Sequence, residues 1–206
     1  MQVDFIFQIA VLIMSVVVHE VAHGYTANIL GDPTAKYEGR LTLNPLKHLD
    51  LFGSVILPFL LYITHAGFIF GWAKPVPYNP YNLKPGRWSE AKVAATGPAS
   101  NIVIALIFGL LLRFGVSGGW ASPAFIQITA VIVFINILLA VFNLVPIPPL
   151  DGSKILYALF PARFFQMRQF FERYGLLLVI VFIFFLWQFI APVTFWLFQI
   201  VTGLAL

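Results

Sequence analysis

Charge is scarce in this chain: of its 206 residues only 10% are Asp, Glu, Lys or Arg. A water-soluble domain carries about a quarter, so water is excluded as the main solvent. Cysteine is absent altogether, which rules out a disulfide framework and leaves His and carboxylates to hold any metal. The N-terminus lacks the basic stretch and the small-residue cleavage site of a secretory signal. Its first apolar segment is therefore expected to stay as a helix. A concentrated basic stripe is missing too. The net charge is +4 and the pI about 9.5, yet the basic residues are scattered through short stretches, and no nucleic-acid partner is expected.

What fills the chain is apolar: 60% hydrophobic residues, with 22 Phe and 5 Trp, and a mean hydropathy of +0.92. Such a composition suits a lipid bilayer with aromatic residues at its two faces. Residues 3–25 can cross a membrane, which takes roughly 20 apolar residues. Further helices are expected over 90–114, opened by Ser89 as N-cap, and over 124–145. Residues 174–206 carry no charge and exceed one untilted span, so they read as two helices joined near Ala191-Pro192, with one long kinked helix as the alternative. Turn signals such as Gly-Asp-Pro at 31–33 break up 26–50, with short strands a further option there. The Pro-rich residues 71–90 read as extended strand segments.

Eleven of the twelve Lys and Arg lie in 26–50, 71–92 and 153–173, with Arg113 the exception. By the positive-inside rule all three stretches face the cytoplasm. Residues 51–70, apolar but interrupted by Gly53, Pro58, His65 and Gly67, then begin and end on one side, as a re-entrant segment does. The expected architecture is an all-α polytopic membrane protein. It has a bundle of about five spanning helices, that re-entrant segment, and short strands on the cytoplasmic side. Residues 1–206 read as a single domain, with a core over 3–152 and C-terminal helices over 174–206.

Chemistry concentrates in His19-Glu20-Val21-Ala22-His23, an HExxH motif near the end of the first helix. Four helical residues advance about 400°, so the two imidazoles project from nearly one face and can share a zinc while Glu20 reaches a water beside it. Ionisable residues inside a membrane helix are costly and usually functional. A catalytic zinc needs a third protein ligand. Asp4 is at the far end of the helix, roughly 22 Å away at 1.5 Å per residue. His48 and Asp50 read as a solvated loop turn, and His65 lies in the interrupted segment. Asp151 closes the run NLVPIPPLDG at 143–152. With 90–114 and 124–145 crossing out and back, it returns to the face of His19 and His23, which favours it as the ligand. The plainer alternative is a turn Asp capping a helix that starts near Ser153.

HEVAH at 19–23, GPASN at 97–101 and NLVPIPPLDG at 143–152, in that order, give a chain that resembles the site-2 proteases, intramembrane zinc metallopeptidases. GRLTLNPLKHLD (39–50) and GWAKPVP (71–77) look like the compact bacterial and archaeal branch of that family, without a PDZ or CBS domain. The resemblance implies one zinc per chain, with His19, His23 and Asp151 as ligands and Glu20 as general base. It further implies Gly97, Asn101 and Asn143 as substrate-positioning residues, with a helix-packing glycine and an interhelical amide hydrogen bond as the plainer alternative for Gly97 and Asn101. The substrates expected are transmembrane proteins, cleaved in a prokaryotic cytoplasmic membrane by a multi-pass enzyme whose site faces the cytoplasm. An unwound substrate segment could pair with a strand edge over 71–80. Two rival functions remain open at this level. A metal transporter would spread ionisable residues along a path through the bilayer, whereas here they cluster toward one face. An inactive relative that holds membrane partners would differ only in turnover.

Overall fold

The computed structural model describes residues 5–50, 53, 56, 59–60, 63, 74–160 and 165–204, and every regular element within them is helical. The apolar run Phe5–Ile29 forms helix α1. It stops at a Schellman turn, in which the Asp32 N–H donates to the Ala27 carbonyl (2.9 Å) and the Gly31 N–H to the Asn28 carbonyl (3.2 Å). Gly31 takes the required positive φ of 111°, and Pro33 bars continuation. A short helix α2 (Thr34–Tyr37) and a 3-10 turn at Pro45–Lys47 follow. A second 3-10 turn, Pro80–Asn82, precedes helix α3 (Ser89–Ser117). Then come α4 (Pro123–Asn143), α5 (Asp151–Leu159), α6 (Phe165–Val181), a π turn (Phe182–Leu186) and α7 (Trp187–Thr202).

Helix α3 is the hub, packed against α1, α4, α5 and α7. The reason lies in a buried stripe of Ala94, Gly97, Asn101, Ala105 and Gly109, spaced three or four residues apart. Small residues at that spacing let helix backbones approach closely, which is what drives association where lipid is as apolar as leucine. Across α3, Ala105 joins Val133, Ile137 and Phe198 in one core cluster. The opposite face of α3 presents Val103, Ile107, Leu111 and Phe114 outward, as a lipid-facing surface does.

Helices α1, α3 and α4 are each long and apolar enough to cross a membrane, and the pair α6–α7, bent by 71°, raises the number to four if it is one broken span. The expectation of about five spans exceeds this. The C-terminal break also falls elsewhere than expected: it lies between Phe185 and Gln188, at the end of the π turn, and Pro192 lies inside α7. A π turn interrupts the i→i−4 ladder and widens the helix. Pro192, six residues into α7, removes one intrahelical bond and lets the helix run on. Ser89 is likewise no N-cap; it lies within α3, and its hydroxyl donates to the Lys84 carbonyl at 2.7 Å. Helix α4 does start on a cap, with the Phe125 N–H bonded to Ser122 Oγ at 3.2 Å and Pro123 in the first turn.

No strand occurs among the described residues, and 74–79 shows why. Pro75 and Pro77 have no N–H to give to a ladder. The N–H groups of Lys74, Val76 and Asn79 go instead to the His48 carbonyl (2.8 Å), the Glu20 carboxylate (2.7 Å) and the Asp32 carboxylate (2.6 Å). Arg40 adds bonds to the Lys74 and Pro75 carbonyls at 2.8 and 3.2 Å. The segment is a strap tied across the end of α1. The expected re-entrant segment over 51–70 lies largely outside the described residues, as do 71–73.

Asp32 anchors the strap. It is fully buried and accepts from the Thr34 N–H (3.2 Å), the Thr34 hydroxyl (2.5 Å), the Asn79 N–H (2.6 Å) and Asn82 Nδ2 (3.0 Å). Burial alone would raise its pKa, but these hydrogen bonds outweigh it and hold the carboxyl below the usual range. A depressed native pKa adds stability that is complete above the unfolded value of about 3.9 and is lost as pH falls through the native one. Thermal unfolding of Asp32→Ala near neutral pH should therefore show a loss of about 2–3 kcal/mol. The gap to wild type should close on acidification; a gap independent of pH would contradict this assignment.

Candidate metal centre

Helical periodicity puts His19 and His23 one turn apart on the buried face of α1, with ring centroids 4.6 Å apart and planes at 88°. Asp151 arrives from the other side of the bundle. After α4 ends, the chain turns through Val145–Leu150 and starts α5 with Asp151 in its first turn. Gly152 makes that turn possible, since a Cβ there would lie 2.5 Å from the Val145 carbonyl oxygen and nearer still to that of Leu144. Asp151 Oδ2 then stands 3.1 Å from His19 Nε2 and 3.0 Å from His23 Nε2, and the two Nε2 atoms are 3.0 Å apart. All three residues are buried. Among the described residues they form the one cluster of three whose ligand atoms all lie within 4.8 Å of one another.

The hydrogen bonds behind the rings decide what this cluster can hold. His23 Nδ1 donates to the Val93 backbone carbonyl at 2.7 Å. His19 Nδ1 donates to Asn101 Oδ1 at 2.7 Å. With both Nδ1 atoms protonated, neutral imidazoles carry lone pairs on both Nε2 atoms. Two such nitrogens and a carboxylate oxygen facing one another repel unless a cation sits among them. Tetrahedral zinc with bonds of 2.0–2.1 Å spaces its donors roughly 3.3 Å apart, close to the separations found. The donor set and its outer hydrogen bonds fit a catalytic zinc with three protein ligands.

The Lys154 ammonium stands 3.7 Å from Asp151 Oδ1 and favours the charged carboxylate. An anionic carboxylate is the form in which Asp would ligate a metal. Gly97 faces the two rings from α3. A Cβ at that position would lie 2.5 Å from His19 Nε2 and closer to His23 Nε2, so only glycine leaves room for the site. Glu20, half-buried, projects toward the strap, where Oε2 accepts the Val76 N–H at 2.7 Å.

His19, Glu20, His23, Asp151, Gly97 and Asn101 are thus gathered at one place. Asn143 is held differently: its Nδ2 donates to the Leu139 carbonyl one turn back in α4 (2.9 Å). Asn101 is buried behind His19 and bonds its ring, the interhelical amide contact that was the alternative to a substrate role. His48 is a structural residue, buried, with Nε2 donating to the Thr42 carbonyl at 2.8 Å. Asp50 accepts the Gly53 N–H at 2.6 Å. Asp4 and His65 lie outside the described residues. Missed by the sequence analysis were Val76, which reaches Glu20 only through its backbone, and Asn136, whose Oδ1 accepts from Asn101 Nδ2 at 2.9 Å. A signal for Asn136 existed: it is an amide in the middle of the apolar run VIVFINILLAVF at 131–142.

Comparison with known proteins shows the family. The family model for peptidase family M50 matches residues 114–186. "Putative zinc metalloprotease YwhC" of Bacillus subtilis is 40% identical over 180 residues, which are 85% of this chain and 78% of that protein. "Putative zinc metalloprotease Rip2" of Mycolicibacterium smegmatis is 36% identical over 151 residues, 72% of this chain and 55% of the relative. "Putative zinc metalloprotease MJ0611" of Methanocaldococcus jannaschii is 30% identical over 163 residues, 73% and 72% of the two chains. The chain spans about half the length of Rip2 and over three quarters of YwhC. No solved structure matches it. With 40% identity across most of both chains in the Bacillus relative, and a His19, His23 and Asp151 cluster that could hold a metal, the chain belongs to peptidase family M50, the site-2 protease family of metallopeptidases.

Proposed function

We propose that the chain is an intramembrane zinc endopeptidase, which holds one zinc on His19, His23 and Asp151 and hydrolyses peptide bonds in transmembrane segments of membrane proteins. One observation carries the reading: three ligand atoms converge at 3.0–3.1 Å while both Nδ1 atoms are tied elsewhere. Zinc bound there supplies Lewis acidity, polarising a scissile carbonyl and lowering the pKa of a water. Glu20 handles the proton. Its Oε2 is held by the Val76 N–H, which leaves Oε1 to accept the proton of the attacking water and pass it to the leaving amine. The buried walls of α1, α3 and α5 keep bulk water away and strengthen each electrostatic contact.

Substrate helices hide their carbonyls in internal hydrogen bonds and have to unwind before attack. An unwound segment pairing along this strap would first displace Asn79 from Asp32, while the Val76 N–H stays on Glu20. Cleavage of a panel of single-span proteins by the purified chain in bilayers tests the function. Zinc-dependent cuts inside the span are expected; cuts confined to soluble flanks, unaffected by chelator, would overturn it.

The site is further proposed to face the cytoplasm of a cell membrane, on the strength of the basic residues of the strap side. Lys74 and Lys84 are both exposed, and the chain has no native cysteine, so Lys74→Cys and Lys84→Cys report sidedness cleanly. An impermeant thiol reagent should label both only in inverted vesicles. Labelling from outside intact cells would reverse the orientation.

A further inference from the structure

Behind His19 lies a hydrogen-bonded relay that reaches a third helix. Asn101, on α3, and Asn136, on α4, are both 0% exposed, and Ser15, one turn before His19 on α1, is 5% exposed. Asn136 Nδ2 donates to the Ile132 backbone carbonyl (2.9 Å) and to Ser15 Oγ (2.9 Å). A backbone carbonyl accepts only, so this amide has one permitted orientation, with Oδ1 turned toward Asn101. Asn101 answers in kind. Its Nδ2 donates to Asn136 Oδ1 at 2.9 Å and, less tightly, to the Ser15 carbonyl at 3.2 Å. Asn101 Oδ1 is thereby left facing His19 Nδ1 at 2.7 Å. An oxygen there requires a proton on Nδ1 and keeps the Nε2 lone pair toward Asp151 and His23.

We infer that Asn136 is a positioning residue which, acting through Asn101, fixes the His19 tautomer so that Nε2 is the metal-binding atom. Every donor of both amides is used, and a buried amide in an apolar helix is costly unless each group is paired. The Ile132 carbonyl sets Asn136, Asn136 together with the more distant Ser15 carbonyl sets Asn101, and Asn101 sets His19. His23 needs no such relay, because the Val93 backbone carbonyl bonds its Nδ1 directly. The two ligands are thus oriented by different means, and a change at Asn136 should touch only one of them.

The inference rests on the zinc-site reading, but half of its test is independent of metal. The chain has 4 His, so ¹⁵N-histidine labelling of the full chain, with metal removed, can resolve the ring nitrogens, and a His19→Gln variant assigns the His19 signals. Wild type should show His19 protonated at Nδ1. In Asn136→Leu, His19 should become a mixture of tautomers while His23 is unchanged. Zinc affinity, measured by chelator competition, should fall about 10–100-fold, as loss of an outer-shell partner does. Adding Asn136→Leu to Asn101→Ala should weaken zinc no further. Asn136→Ser keeps a hydroxyl for the Ile132 carbonyl but no longer reaches Asn101, and serves the same readouts where Asn136→Leu does not fold. A wild-type His19 tautomer in a folded Asn136 variant would overturn the inference. An altered tautomer in a chain whose wild type binds no zinc would instead sink the zinc reading and leave the relay standing.

Discussion

Glu20→Gln should reduce peptide hydrolysis by about 10²–10⁴-fold or more while leaving zinc affinity unchanged. Glutamine keeps the size and shape of glutamate, and its carbonyl oxygen can still accept the Val76 N–H that holds Oε2 in the wild type. What it cannot do is take a proton from water at neutral pH. Glu20 is also outside the cluster of His19, His23 and Asp151, so the ligand set is untouched. Turnover on a single-span substrate and zinc stoichiometry, measured on one preparation, separate the two roles. A variant that keeps wild-type turnover would remove Glu20 from the mechanism. One that loses zinc would make it a ligand.

Gly97→Ala should be comparably damaging for a different reason. The added methyl would lie 2.5 Å from His19 Nε2 and closer to His23 Nε2, against the lone pairs that face the metal. The rings cannot swing away, since their Nδ1 atoms are tied to Asn101 and Val93. Nor can α3 retreat, because it is the hub on which four helices pack. Overpacking of this kind costs about 1–3 kcal/mol in stability, and displacing both rings should weaken zinc by at least the roughly 10–100-fold lost with an outer-shell contact. Gly109→Ala is the control. Its methyl would collide with the Val201 side chain, also within α3 packing but away from the rings. It should lower the melting temperature and leave zinc affinity alone. Equal loss of zinc in both variants would mean that Gly97 matters only for helix packing.

The metal cluster was legible in the sequence because its physics is local or topological. HExxH puts two imidazoles on one helix face by periodicity alone, and counting helix crossings brings Asp151 back to them. Most basic residues fall outside the long apolar runs because charge is costly in lipid. Less was readable where backbone groups act. Nothing in the letters Lys-Pro-Val-Pro says that the one N–H between two prolines will hold Glu20, or that the remaining donors of the strap leave no strand to form. Pro192 pointed to a break, yet the bend falls between Phe185 and Gln188, at the end of a π turn that no residue type announces. Asn136 could have been found by the rule that singled out His19, since an amide in an apolar helix is equally out of place. The interhelical amide bond open to Asn101 names no partner, so the pairing with Asn136 shows only in the fold.

The most direct test of the account is zinc binding by the purified chain with and without Asp151. Wild type should retain one zinc per chain through dialysis, and Asp151→Ala should bind it more than about 100-fold more weakly, exceeding the loss of an outer-shell partner. An Asp151→Ala chain that holds one zinc with wild-type affinity would contradict the site.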